Sequence, residues 1–127
     1  MSTYPKTPSL NRKFVNLTMV DSGTAGTAPG SVFFVPGYRG KIRKITAVSP
    51  VAITGANNVL TASIGTTAVT GGVITMLLAS SAAGDIFTAT PTAANSFSPT
   101  DYIKIVSDGG ATNATLPIVV TLELEAT

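Results

Sequence analysis

The stretch Pro117-Ile118-Val119-Val120-Thr121-Leu122-Glu123-Leu124-Glu125 alternates along its length. Ile118, Val120, Leu122 and Leu124 fall on one side of an extended chain. Val119, Thr121, Glu123 and Glu125 fall on the other. A period of two marks a strand with one face buried and one in water. Pro117 stands at its start, where a missing amide proton disturbs a sheet least.

The same rhythm runs back through the chain. Lys13–Val20 sets Val15, Leu17 and Met19 on one face. Ser31–Val35 ends at Pro36-Gly37, and Lys41–Val48 ends before Pro50. Further segments are read at 59–64, 66–69, 73–78, 85–90 and 102–107, each stopped by Gly, Pro or a run of small residues. Gly71-Gly72 is read as a break between two of them, and Asp108-Gly109-Gly110 as a tight hairpin turn. The six alanines of 79–94 allow a single helical turn, but Ser80-Ser81, Gly84 and Pro91 oppose a long helix. Eight or nine short strands with turn residues between them predict an all-β fold, a single antiparallel β-sandwich or jelly-roll-like barrel. Residues 1–12, with Pro5 and Pro8, read as an extended N-terminal arm, and residues 13–127 as the β domain.

The chain has 127 residues, of which 44% are hydrophobic and only 11% charged. It contains no His and no Cys. That composition removes imidazole-assisted nucleophiles, thiolate chemistry, zinc and iron–sulfur sites and disulfides. No catalytic residue, cofactor or metal is expected. The longest strongly apolar run, 73–79, is far short of the roughly 20 residues of a spanning helix. The polar start carries no apolar leader segment, so a soluble protein made in a cytoplasm is expected. The sequons at Asn16 and Asn113 are then chance. Eight basic and six acidic residues give a net charge of +2. The first 60 residues hold seven of the bases and one acid, while the rest hold one base and five acids. A thinly charged small domain leaves apolar surface for a partner to cover.

The densest feature is Arg39, Lys41, Arg43 and Lys44. On a regular strand Lys41 and Arg43 would share one face, and Ile42 and Lys44 the other. Such a patch suits an acidic protein surface; its bland reading is an edge strand whose lysines discourage aggregation. Nucleic acid is disfavoured by the small net charge and the absence of an RNA-binding aromatic motif. Asp85, Asp101 and Asp108 stand at strand ends and read as turn residues bonding local backbone. Phe33 and Phe34 are adjacent, so a strand sends one inward and leaves the other for an oligomer contact.

The segments Arg39–Val48, Thr67–Gly72, Ser81–Asn95 and Ile103–Gly110 together resemble capsid decoration (cement) proteins of tailed bacteriophages. The resemblance spans residues 37–125. It implies a non-enzymatic virion protein made in the host cytoplasm and placed on the outer capsid surface. Such a protein, commonly a homotrimer, bridges neighbouring subunits of the major capsid protein. The family supplies no binding motif that transfers residue by residue. Charge and the arm therefore nominate the capsid-binding residues: Tyr4, Lys6, Arg12, Lys13, Arg39, Lys41, Arg43 and Lys44. Phe33 and Phe34 are the candidates for the oligomer interface. The alternatives are a head-fibre base or tail component, and a surface glycan-binding module. The last is ranked lower because the chain has no Trp and only five Phe and three Tyr.

Overall fold

The computed structural model of the chain describes residues 11–21, 30–113 and 115–127. These form nine strands: β1 Arg12–Asp21, β2 Ser31–Phe34, β3 Gly40–Val48, β4 Asn58–Ile64, β5 Thr67–Met76, β6 Ile86–Ala89, β7 Ser96–Phe97, β8 Ile103–Ser107 and β9 Leu116–Ala126. Among the described residues there is no helix. Every named strand pair is antiparallel. One sheet runs β1-β9-β3-β6, with β7 added to β3; the other runs β2-β8-β4-β5. The two-residue β7 set aside, this is the strand order of an eight-stranded jelly roll. The sheets face each other as a sandwich and do not close into a barrel.

The core lies between the two inner faces. From β9, Ile118, Val120, Leu122 and Leu124 are all fully buried. They meet Ile42, Ile45 and Ala47 of β3 and Met19 of β1, with Val15 and Leu17 packed at the margin. The facing sheet contributes Leu60, Ala62, Val69, Ile74, Met76, Ile103 and Ile105. Two polar side chains, Asn58 and Ser107, are also fully buried and bond to each other, Ser107 Oγ donating to Asn58 Oδ1 at 3.1 Å. Their oxygens accept backbone protons from Gly109 and Ala111 as well, which meets the cost of burying them.

Four local expectations need correction. β5 runs through Gly71-Gly72 as one strand, because the glycines shape a bulge instead of an end. Ala62 alone stands opposite Val69–Gly72, and Gly71 takes φ 77°. Thr70 is tied across the bulge to the loop before β7, through Thr70 N–Ala93 O at 3.0 Å and Thr92 N–Thr70 O at 2.9 Å. Asp108-Gly109-Gly110 is no tight hairpin, since β8 and β9 belong to different sheets and this loop crosses between them. Asp108 Oδ1 instead accepts from Val59 N and Gly110 N, both at 2.9 Å. The alternation in β3 breaks at Arg43, where the register to β9 slips by one residue. Lys44 therefore points outward with Lys41 instead of inward with Ile42. Finally, Arg12 opens β1, and Ala126 N donates to Asn11 O at 2.8 Å, so the sheet begins where the arm was expected to end. The rest of the expected arm lies outside the described residues.

Leu122 is fully buried at the centre of this core. Leu122→Ala should lower unfolding stability by about 3 kcal/mol, read as a lower urea midpoint with an unchanged slope.

Candidate functional site

Strand direction gathers the charges. Lys13 is the second residue of β1; Lys41, Arg43 and Lys44 lie in the first part of β3, with Arg39 just before it. Lys104 lies at the start of β8. Ser96, opposite Lys41 in the β3–β7 pair, and Asp101, just before β8, line one cavity. The starts of β3 and β8 therefore lie at the same end of the sandwich. Arg12 joins them, since it pairs in register with Glu125, which also faces Lys41. All seven described basic residues thus share one half of the molecule, with Glu123, Glu125 and Asp101 as its acids. Asp85 and Asp108 stand at the other end, where β1 also finishes.

The outer face of the first sheet changes character along its length. Arg12, Glu125 and Lys41 form one cross-strand row, and Phe14, Glu123 and Lys44 the next. Asn16, Thr121, Thr46 and Thr88 follow, with Thr121 Oγ1 donating to Asn16 Oδ1 at 2.8 Å. Thr18, Val119, Val48 and Ile86 complete the gradient. Val20, Val119 and Ile86 remain exposed there.

Within the basic half the candidates divide into two groups. Arg12 bonds Glu123 at 3.1 Å and approaches Glu125 at 3.4 Å, and Arg43 approaches Glu125 at 3.3 Å. The acids of β9 thus sit between the bases of β1 and β3. Each such partly buried pair still reaches solvent and contributes under about 1 kcal/mol, so the cluster orients side chains more than it stabilises the fold. Lys13, Arg39, Lys41 and Lys44 are exposed and have no ion pair among the described residues. Tyr4 and Lys6 lie outside the described residues. Tyr38, next to Arg39, packs edge-on against Phe97 with centroids 5.8 Å apart. Burial pushes its phenol above the ordinary pKa.

Phe34 points inward and packs against the core, while Phe33 is 56% exposed. That leaves Phe33, and not Phe34, available for an oligomer contact. Phe33 lies edge-on to Tyr102 at 5.6 Å, with Lys104 Nζ 5.4 Å from its ring centre. Lys104 was not singled out in the sequence; its only signal was its place at a strand start. The three aspartates behave as turn residues. Besides Asp108, Asp85 Oδ2 accepts from Ala82 N at 2.9 Å and Asp101 Oδ2 from Ser98 N at 2.8 Å. Asn113 is also occupied, accepting from Thr54 N and donating to Ala52 O.

At the basic end an open cavity of about 340 Å³ lies between the β4–β5 turn and β7. Ile64, Thr67, Ala94, Ser96 and Asp101 line it. Sequence reading noticed only Asp101, because the other four come from separate segments with no motif in common.

No family model matches the chain, and no curated protein matches it. Among solved structures it is similar to the Agl-KA catalytic domain, at 18% identity and TM-score 0.44, covering 90% of this chain and 21% of that one. It is also similar to dimeric latent PorU from Porphyromonas gingivalis, at 13% identity and TM-score 0.37, covering 89% of this chain and 13% of that one. A third likeness is the nucleoplasmin-like N-terminal domain of Drosophila FKBP39, at 12% identity and TM-score 0.31, covering 78% of this chain and 88% of that one. This chain therefore spans about a fifth or less of the first two structures, and likenesses this weak carry no functional argument.

Proposed function

We propose that the protein is a non-enzymatic virion component that decorates the outer surface of a tailed-phage capsid and cements neighbouring major capsid subunits. The observation that carries this reading is the gathering of all described bases into one half of the sandwich. Arg39, Lys41 and Lys44 are exposed there without ion pairs among the described residues, so they can meet acidic groups on a shell without first breaking internal pairs. Arg12 and Arg43, already held by Glu123 and Glu125, are secondary contacts. The jelly-roll order adds support at the level of analogy, since viral capsid and lectin domains use it. In this proposal residues 1–10 add contact area on the shell, and Phe33 lies in a contact between three copies. Many identical copies make modest individual contacts effective. A head-fibre base or tail component is the alternative, and binding of the purified protein to capsids lacking it separates the two.

Glu125 faces Lys41 and Glu123 faces Lys44, so reversing those lysines would place acid beside acid within the fold. Neutral substitution is the cleaner probe. The triple variant R39Q/K41Q/K44Q should lose about tenfold in capsid affinity at low salt, roughly 1.4 kcal/mol. The gap should narrow as salt rises, measured as occupancy on sedimented capsids. Unchanged occupancy would remove the basic half from the contact. Deleting residues 1–10 leaves Arg12 and its ion pairs in place. The deletion should keep the circular dichroism of the β fold and reduce occupancy; full occupancy would remove the arm from the proposal. Phe33→Ser should shift the solution mass from trimer to monomer, read by light scattering, whereas a wild-type protein that is already monomeric would rule out a preformed trimer.

A further inference from the structure

The cavity at the basic end has a chemistry of its own. Thr67 comes from β5, Ser96 from β7, and Asp101 from the turn before β8. Ile64 and Ala94 also line the cavity. One carboxylate oxygen of Asp101, Oδ2, accepts from Ser98 N at 2.8 Å, which restrains the orientation of the group, while Oδ1 makes no hydrogen bond among the described residues. The side-chain hydroxyls of Thr67 and Ser96 make no hydrogen bond among the described residues. Ala94 lies at φ 51°, an uncommon conformation for a residue with a Cβ. An open space lined by a few convergent polar groups and apolar wall is the ordinary make-up of a small-ligand site. Its volume of about 340 Å³ lies at the small end for such sites.

The type of ligand follows from the groups present. A carboxylate oxygen accepts protons, and two hydroxyls either accept or donate. Ile64 and Ala94 offer surface to C–H groups. A ring bearing several hydroxyls, with an apolar face of C–H bonds, satisfies each of these. A cationic ligand would also suit the carboxylate, but Lys41 stands opposite Ser96 and seven bases share this half of the protein. That field disfavours a further positive charge. An anionic ligand would meet Asp101 directly. The neutral choice remains.

We propose that this cavity binds a single neutral sugar ring, with Asp101 Oδ1 accepting from a sugar hydroxyl and Thr67 and Ser96 completing the hydrogen bonds. Phe33 and Tyr102 lie beyond it, on the outer side of the second sheet, and are not part of the site. The inference does not rest on capsid attachment, because it concerns the free protein.

The test is an NMR titration of the purified full chain with D-glucose, D-galactose and N-acetyl-D-glucosamine, each taken into the high-millimolar range. At least one should produce saturable shifts centred on residues 64–67 and 94–101. Asp101→Asn keeps an acceptor for Ser98 N while removing the charge, and should weaken that binding about tenfold. A double variant, T67V/S96A, should weaken it as well, with the spectrum elsewhere unchanged. Absence of shifts with all three sugars overturns the proposal, as does sugar binding indifferent to both variants. Stronger shifts with methylammonium than with any sugar would overturn it in favour of a cation site. None of these results depends on whether the protein binds a capsid.

Discussion

β9 is the constraint on which the rest of the molecule depends. It is the longest strand, at 11 residues, and it is paired on both sides, by β1 and β3. Its inner residues Ile118, Val120, Leu122 and Leu124 have no exposed surface, so a slip of one residue would send Glu123 and Glu125 into the core. That penalty fixes the register of both neighbours. It also fixes where the glutamates emerge, between Arg12 on one side and Arg43 on the other. The same strand thus sets the core by its inner face and the charge pattern by its outer one.

The local rule of alternation was enough to read nearly all of the strands. Val15, Leu17 and Met19 face inward as their spacing predicts, and so do the four apolar residues of β9. Features that depend on a neighbouring chain segment were not legible. The bulge at Arg43 is a mismatch between β3 and β9, and only the pairing shows it. The continuity of β5 through two glycines needs Ala62 on one side and Ala93 on the other. The two-residue β7 exists because β3 offers it an edge at Gly40 and Lys41. Gly40 is itself demanded by that crowding, since a Cβ there would overlap the Glu125 carbonyl and the Phe97 ring. The candidate sites divide in the same way. The basic cluster of β3 is a contiguous run and is visible in sequence, whereas Thr67, Ser96 and Asp101 meet only through the crossing of two sheets.

Charge shows most clearly how topology changes the meaning of a sequence. Counted along the chain, the bases precede the acids, which suggests a basic half and an acidic half. Folding places β9, which carries two of the late acids, between two early strands. The early bases are therefore partly neutralised where Glu123 and Glu125 reach them. A different polarity emerges, running from row to row along the strand axes of the sheet instead of from one end of the sequence to the other. Bases and two glutamates occupy one half of the first sheet's outer face, hydroxyls its middle, and Val20, Val119 and Ile86 its far part. Low charge content in such a protein does not mean a uniformly bland surface, because the few charges are concentrated.

This polarity links the docking proposal to the sugar proposal through geometry. The cavity opens at the end that also presents Lys41, and Ser96 on its wall is the cross-strand neighbour of that lysine. A shell that contacts Arg39, Lys41 and Lys44 closely enough to exclude water also covers the approach to Asp101. Under the two proposals, one end of the sandwich would therefore serve two occupants in turn, not together. Occupancy by one must lower the apparent affinity for the other by the fraction of molecules already taken, and that reciprocity holds whichever binds first. The far end, with Val20, Val119 and Ile86 exposed, is free of this competition, since the residues that define it are separated from the cavity by the hydroxyl row of Asn16, Thr121, Thr46 and Thr88.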